Sequence, residues 1–272
     1  MATHNNWMTH NLKERFNDKN TPFNVNLNPY QFLPMDFNEA SDYTAKLIHQ
    51  KYSKLFLSFS GGLDSDYVFH VLKRNNIPFD PIIVKTSGNS IEMKYALHTC
   101  KEFNVTPIIL NLNDNDYLEF LNLQVIQKIS GRGLCAIPGI FACEYAKANS
   151  GICIIGEHMI DNDDQSIFPG MNEWDFYNEV FVGEDHNVPF FNYTVELTNA
   201  MIESINNDSI DEWKHKLYNL TYRPIIDYQF DAKFQITKYS LFKKQKHRPI
   251  NHFNPGSKDV LLSFLSSFKI DK

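Results

Sequence analysis

Residues 55–65 have the sequence Leu-Phe-Leu-Ser-Phe-Ser-Gly-Gly-Leu-Asp-Ser. A short apolar run of strand length comes first, a glycine pair follows, and residues 65–74 carry apolar side chains at helical spacing. This order predicts a buried strand, a tight turn and a helix in direct succession. Such a turn favours the binding of an anion, because the N–H groups and the positive end of the helix dipole point toward the bound anion.

The turn after this strand has the residue types of a phosphate-binding site. Gly61 and Gly62 permit backbone angles that are closed to other residues, and they let a phosphate approach the main chain. Ser60 and Ser65 supply hydroxyl donors. Asp64 stands apart, because a carboxylate beside a polyphosphate is repelled unless a divalent cation lies between them. We therefore predict that the turn binds a nucleotide and that Asp64 binds Mg²⁺.

A purely structural glycine turn, in which Asp64 or Ser65 caps the helix, is the alternative interpretation. The complete Ser-Gly-Gly-Leu-Asp-Ser string directly after a strand favours nucleotide binding. The sequence contains no Gly-Lys-Ser/Thr, so the turn is not a Walker A loop. Residues 131–136 fit Gly-x-Gly-x-x-Ala, but they follow a predicted helix and not a strand, which argues against a dinucleotide-binding fingerprint.

From residue 55 onward, apolar runs of strand length alternate with longer helical patterns, which predicts an α/β fold with a parallel sheet. Three further strands are predicted at residues 79–84, 106–112 and 151–156. Helices are predicted at residues 65–74, 91–103, 117–129 and 139–148, with a mobile glycine-rich loop at 130–133. A capped helix at residues 36–52 precedes this core.

The same patterns divide the chain into three parts. Residues 1–35 are predicted to form an N-terminal arm, irregular over its first 30 or so residues. Residues 36–190 are predicted to form the α/β core that binds the nucleotide. Residues 191–272 are predicted to form a mainly helical C-terminal part with a basic segment, and its helices are expected at residues 194–205 and 209–217.

Composition excludes several classes of protein. Of 272 residues, 43% are apolar and 21% are charged, which are values typical of a globular protein and not of a disordered chain. No stretch approaches the roughly 20 apolar residues of a membrane span, and the N-terminus lacks the apolar region of a secretion signal, so a cytoplasmic protein is expected. The four cysteines show neither disulfide nor zinc spacing and are predicted to be buried thiols, and aromatic residues such as Tyr67 and Phe69 are predicted to lie in the core.

Charge is unevenly distributed along the second half of the chain. No Lys or Arg lies between Lys147 and Lys214, a region where acids accumulate, whereas residues 233–258 are rich in Lys and contain no acid. Each stretch could be a solvated face. The functional alternative is that the acids hold a divalent cation and the bases meet phosphates across a shared cleft.

The string at residues 60–65 resembles the pyrophosphate-binding loop of the PP-loop, or N-type ATP pyrophosphatase, superfamily. Within it, residues 36–256 are similar to the asparagine synthetase branch. The likeness includes residues 138–156, residues 188–192 with Glu196, and the basic residues from 233 onward. The resemblance implies an adenine nucleotide alpha hydrolase-like core and an enzyme that cleaves ATP to AMP and pyrophosphate while it adenylates an acceptor.

The resemblance also implies roles for individual residues. ATP and Mg²⁺ are the implied cofactors, with ATP at the carboxyl ends of the strands. The ATP-binding residues would be Ser58, Ser60, Gly61, Gly62, Leu63, Asp64, Ser65 and Gly156, with Val84 and Lys85 facing the adenine. Asp64 and Asp161 would hold Mg²⁺, Lys233 or Lys238 would stabilise phosphate charge, and Glu157 would bind an amine or assist proton transfer.

At three points the sequence departs from the asparagine synthetase branch, which limits how far the roles of its residues apply here. Between Glu157 and Asp161 there is one residue more than in the branch motif, so Asp163 or Asp164 are alternative metal ligands. Asn192 replaces the usual Asp. Position 2 is Ala and no glutaminase domain precedes the synthetase-like part, so the nitrogen donor is expected to be ammonia, an amine, or ammonia from a separate amidotransferase.

Together these observations predict an ATP-dependent, AMP-forming C–N ligase whose acceptor is a small carboxylate. Two alternatives stay open. The aromatic and basic residues 233–258 could bind nucleic acid, as an enzyme that modifies a tRNA or DNA base would require. The chain could also be a sensor that binds ATP or AMP without turnover.

Overall fold

The computed structural model describes residues 7–17, 21, 25–28, 30–86, 89–113, 115–116, 137–156, 160–163, 166–169, 183, 186–206, 208, 210–219 and 266. All structural statements below concern these residues.

A five-stranded parallel sheet forms the centre of the molecule. Its strands are β3 (Leu55–Ser58), β4 (Asp80–Lys85), β5 (Ile108–Asn111), β6 (Ile152–Ile155) and β9 (Asn187–Pro189). They lie in the order β5-β4-β3-β6-β9. The predicted α/β fold with a parallel sheet is therefore confirmed. The fifth strand, β9, was missed by sequence reasoning.

The helices follow the predicted positions closely. They are α2 (Phe37–Lys51), α3 (Leu63–Arg74), α4 (Ser90–Glu102), α5 (Ile137–Ala148), α6 (Val195–Glu203) and α7 (Ile210–Tyr218). The expected cap of α2 is present as a capping box. The N–H of Glu39 donates to Asp36 Oδ1 at 2.9 Å, and the Glu39 side chain accepts from the N–H of Asp36.

Alternate residues of the strands face two apolar layers. In β3, Leu55 and Leu57 pack in the layer formed with α2, α3, α4, α6 and α7, whereas Phe56 packs in the layer formed with α5. Helices thus cover both faces of the sheet, and the central strands β3 and β6 are apolar and buried almost throughout, as is typical of parallel strands covered on both sides.

The N-terminal segment corrects one prediction. Where an irregular arm was expected, β1 (Met8–His10) and β2 (Val25–Leu27) pair in an antiparallel ribbon, and α1 (Leu12–Asn17) lies between them in sequence. Trp7 and Leu12 are buried and belong to the main core cluster. The physical reason is that these few apolar side chains pack on the core of the sheet. This is a tertiary contact, and the sequence of such short strands does not predict it.

Several predictions fall outside the described residues, including the helix at 117–129 and the loop at 130–133. An antiparallel pair, β7 (Ile160–Asp163) and β8 (Ser166–Pro169), follows β6 in sequence. Tyr67 and Phe69 are buried, as predicted. Among the described residues, no helix has both the length and the apolar character needed to cross a membrane.

Candidate functional site

The Ser-Gly-Gly-Leu-Asp-Ser turn lies where the order of the strands reverses its direction across the sheet. β3 connects through α3 to β4 on one side, whereas its other neighbour is β6. In open α/β sheets, the carboxyl ends of two strands at such a switch point frame the ligand crevice. Here those ends are the turn after β3 and Gly156 after β6.

The turn is stabilised by its own serine hydroxyls. Ser60 Oγ accepts a hydrogen bond from the N–H of Gly62 at 3.1 Å and lies 3.1 Å from Ser65 Oγ. Ser65 Oγ also donates to the carbonyl of Gly62 at 3.1 Å. These bonds fix the backbone just before α3 and place two hydroxyl groups beside the helix N-terminus.

Helix α3 begins at Leu63, two residues earlier than predicted, with Gly62 at the N-cap. The N-cap residue is Gly62, which makes no side-chain cap hydrogen bond, so neither Asp64 nor Ser65 occupies the N-cap position. Both residues lie in the first turn, where backbone N–H groups have no partner within the helix. This end of α3 therefore has the dipole and donors that favour a phosphate.

Gly61 and Gly156 bring three chain segments into close contact. Gly61 has a φ of 86°, and a Cβ there would meet the carbonyl oxygen of Glu92 in α4. A Cβ on Gly156 would lie 2.9 Å from the backbone nitrogen of Ser65 and 3.1 Å from the carbonyl carbon of Asp64. Glycine at these positions lets α4 and the end of β6 pack directly on the turn.

Asp64 is bound by two side chains of α7. Lys214 Nζ donates to Asp64 Oδ2 at 2.8 Å, and the hydroxyl of Tyr218 donates to Asp64 Oδ1 at 2.6 Å. The Lys214 side chain is 10% exposed and that of Asp64 is 22% exposed. The carboxylate predicted to meet a metal thus already has a cation and a hydroxyl donor as partners.

Aromatic stacking holds α7 in this position. The ring of Tyr218 stacks on Tyr67 of α3 with a centroid distance of 4.5 Å, and it also stacks on Phe37 and Phe191. Trp213 Nε1 donates to the carbonyl of Ser204 at 3.0 Å. Because these aromatic side chains are buried, Lys214 and Tyr218 approach Asp64 from a packed element.

Sequence reasoning missed Lys214 and Tyr218 as site residues. They lie 150 and 154 residues from Asp64 along the chain, so no local pattern links them to it. One feature of the sequence could have drawn attention to Lys214, because it is the first Lys or Arg after the long stretch that contains neither.

The predicted adenine-facing residues lie at the carboxyl end of β4, beside the turn. Val84 is buried, and its carbonyl accepts from Asn89 Nδ2 at 2.8 Å. The carbonyl of Lys85 accepts from the N–H of Leu112, and Asn89 Oδ1 accepts from the N–H of Thr86 at 2.9 Å. A contact of these residues with adenine stays a prediction.

The remaining predicted residues lie either in the β7–β8 pair or outside the described residues. Asp161 lies in β7 opposite Phe168, and Asp163 lies opposite Ser166. Four predicted residues fall outside the described residues: Glu157, Asp164, Lys233 and Lys238. Which acid accompanies Asp64 therefore stays a prediction.

Asn192, which departs from the Asp of the asparagine synthetase branch, is buried. Its Nδ2 has no hydrogen-bond partner in the described part of the chain.

Three of the four cysteines lie in the described part of the chain. Cys100, Cys143 and Cys153 are buried and are not joined to one another by disulfides, which agrees with the prediction. Burial raises the pKa of the Cys100 thiol to about 11, the opposite of what a reactive cysteine needs.

The donor set at the turn suits Mg²⁺ bound together with a polyphosphate. Over the described ranges, no group of three His, Cys, Asp or Glu side chains could hold a metal by protein ligands alone. Mg²⁺ in nucleotide sites typically uses one or two carboxylates and completes its shell with phosphate oxygens and water. The partly exposed carboxylate of Asp64 fits that pattern.

No protein-family model and no curated protein matches this chain. A search of solved structures finds an NH₃-dependent NAD synthetase from Campylobacter jejuni, with 17% identity, a TM-score of 0.35, and coverage of 46% of this chain and 58% of that chain. It also finds an NMN synthetase from Francisella tularensis, with 12% identity, a TM-score of 0.38, and coverage of 78% and 97%.

A glutamine-dependent NAD⁺ synthetase from Acinetobacter baumannii, solved with ADP, has 12% identity, a TM-score of 0.32, and coverage of 44% of this chain and 24% of that chain. This chain thus spans less than two thirds of the first structure and about a quarter of the third. At these TM-scores the functional case rests on the geometry of the site itself.

Proposed function

We propose that this chain binds ATP at the carboxyl ends of β3 and β6 and acts as an AMP-forming C–N ligase. One observation carries the proposal. The complete Ser-Gly-Gly-Leu-Asp-Ser turn stands at the switch point of a parallel sheet, with Gly156 packed against the backbone of Asp64 and Ser65. The resemblance of this turn to the PP-loop supports cleavage between the α- and β-phosphates.

The proposed reaction has two steps. In the first, an acceptor carboxylate oxygen attacks the α-phosphorus of ATP, the bond to the bridging oxygen breaks, and pyrophosphate leaves with the electron pair. In the second, the nitrogen of ammonia or an amine attacks the acyl carbon, AMP leaves, and the nitrogen loses a proton. The products are an amide, AMP and pyrophosphate.

The described residues would contribute binding and orientation. The N–H groups at the start of α3 and the hydroxyls of Ser60 and Ser65 would bind the phosphates, since donors at a helix N-terminus favour anions. Asp64 would hold Mg²⁺, which when bound neutralises charge on the pyrophosphate leaving group. Val84 and Lys85 are proposed to face the adenine.

Four residues keep the roles that the resemblance implies. Asp161 is proposed as the second metal ligand, and Glu157 as the group that binds the amine or assists proton transfer. Lys233 and Lys238 are proposed to stabilise charge on the phosphates. The nitrogen donor is proposed to be ammonia or an amine, with a separate amidotransferase as a source of the ammonia.

One observation favours a second candidate, a module that binds a nucleotide without cleaving it. Both oxygens of Asp64 are engaged by α7, so the carboxylate is neutralised without a metal. A sensor would bind ATP or AMP saturably and would form no product with any acceptor.

Product analysis separates these candidates. The protein is incubated with ATP and Mg²⁺, with or without ammonium, and with a panel of amino acids, short RNA or DNA, and the carboxylate precursors of NAD and NMN. AMP and pyrophosphate whose formation depends on one carboxylate support the ligase, and dependence on a nucleic acid would identify base modification instead. ADP as the product would contradict the proposal, and binding without turnover would favour the sensor.

A further inference from the structure

Lys214 and Tyr218 lie one helical turn apart on α7, and each donates to a different oxygen of Asp64, at 2.8 and 2.6 Å. The two contacts fix the orientation of the carboxylate and place a positive charge directly against it. Lys216, on the same helix, instead pairs with Asp208 and has a side chain that is 67% exposed.

The burial of Lys214 shows that this pairing is more than a surface contact. The residue is 8% exposed, and lysine is almost never buried to that degree unless it is paired. Partial burial also reduces screening by salt, so the charge of Lys214 acts on Asp64 more strongly than that of an exposed lysine would. The stacking of Tyr218 on Tyr67 holds the pair in place.

The position of the pair has a consequence for a polyphosphate at the turn. Asp64 lies in the first turn of α3, next to the N–H groups that would bind phosphate, and its negative charge would repel that ligand. An ammonium group 2.8 Å from the carboxylate cancels much of the repulsion. Mg²⁺ bound to Asp64 would do the same, and it would have to share or take over one of the two oxygens that Lys214 and Tyr218 contact.

We propose that Lys214 is the resident counterion of Asp64, which lets the turn accept a polyphosphate without a metal and competes with Mg²⁺ for the same carboxylate. This inference rests on the proposed binding of ATP at the turn. Lys214 is accordingly a positioning residue that acts through Asp64. Tyr218 assists by holding the second oxygen.

The test measures how strongly Mg²⁺ and nucleotide binding are coupled. The Kd of α,β-methylene-ATP, which cannot be cleaved between these phosphates, is measured by calorimetry in Mg²⁺ and in EDTA. In Lys214→Met the Kd in EDTA should rise by about tenfold, while the Kd in Mg²⁺ changes little, because only the metal-free state loses its counterion. Lys214→Arg should keep the wild-type ratio of the two Kd values.

Two further variants make the result specific. Lys216→Met removes an exposed lysine from the same helix and should leave both Kd values unchanged. Asp64→Asn combined with Lys214→Met removes both charges and leaves no buried charge unpaired, so it should fold even if Lys214→Met does not. This double variant should bind the analogue in EDTA nearly as well as wild type, and Mg²⁺ should no longer improve its binding.

The outcomes separate the two proposals. If Lys214→Met weakens binding equally in Mg²⁺ and in EDTA, or changes neither Kd, Lys214 has only a structural role and this inference is overturned while ATP binding stands. Continued strong Mg²⁺ dependence in the double variant would overturn it too. If wild type binds the analogue under neither condition, the proposed function fails, and this inference fails with it.

Discussion

Gly156 and Gly61 determine how closely β6 and α4 approach the turn, and at the residue scale they are its most constrained positions. Gly61 combines a positive φ with contact to α4, so any side chain there would be both strained and crowded. Gly156 does not have a positive φ. It is constrained by space, because a Cβ there would lie only 2.9 Å from the backbone nitrogen of Ser65. A substitution at Gly156 therefore tests the packing against the turn alone.

Gly156→Ala should push the first turn of α3 away from β6 and weaken ATP binding by about tenfold or more, because small displacements of binding groups are costly. Gly151→Ala is the matched control at the other end of β6, where a Cβ would meet the Phe56 ring at 2.5 Å. Both variants should lose about 1–3 kcal/mol of unfolding free energy from overpacking. Urea unfolding and ATP titration check this, and equal ATP affinity in the two variants would contradict the role given to Gly156.

At the scale of elements, the sequence was sufficient to predict a helix or strand where the segment itself contains the residues that define it. The capped helix α2 and the succession of β3, turn and α3 were predicted from apolar spacing, glycines and capping residues. Strand β9 has only three residues and ends in Pro189, so it becomes a strand by pairing with β6 and not by propensity. Likewise, the contact between α7 and Asp64 depends on packing across 150 residues of sequence.

Residues 195–202 of helix α6 are buried, and the acid among them, Glu196, is 3% exposed. Burial raises the pKa of Glu196 to about 7 from its ordinary 4.5, and its Oε2 has no hydrogen-bond partner in the described part of the chain. Tyr43 of α2 and Tyr30 are the titratable groups that it affects, and burial together with Glu196 raises the pKa of Tyr43 to about 12.

The stability of the protein should therefore fall as the pH rises. The folded state binds the proton of Glu196 more tightly than the unfolded state does, so this contribution is complete below pH 4.5 and is lost as the pH passes through about 7. Glu196→Gln should remove the decrease and exceed wild type at pH 8 by about 2–3 kcal/mol. Glu203→Gln, on an exposed position of the same helix, is the control. Parallel pH profiles of wild type and Glu196→Gln in urea unfolding would contradict this assignment.

At the scale of the whole molecule, the N-terminal ribbon belongs to the same core as the sheet. Trp7 is 2% exposed, and its Nε1 donates to the carbonyl of Asn192 at 3.2 Å, so the start of the chain is bound to the turn that precedes α6. Sequence patterns could not show this, because the ribbon's strands are three residues long and the partner of Trp7 lies 185 residues further along the chain.

Trp7→Ala should reduce the unfolding free energy by about 3–5 kcal/mol, the usual cost of truncating a buried tryptophan. Thr9→Ala, at an exposed position of β1, should change it by less than about 0.5 kcal/mol. Chemical denaturation of both variants checks the difference. A Trp7→Ala protein as stable as wild type would show that the ribbon is not part of the core.

We propose that the turn at residues 60–65 binds ATP and that Asp64 takes part in its cleavage to AMP. The most direct measurement is chromatography of the nucleotides formed from ATP and Mg²⁺ by wild type and by Asp64→Asn, each with the acceptor that stimulates wild type. We expect AMP from wild type and a decrease of about 100-fold or more in Asp64→Asn, since loss of a ligand to a catalytic metal removes several kcal/mol of transition-state stabilisation. Undiminished AMP formation by a folded Asp64→Asn protein, or ADP as the product of wild type, would contradict the account.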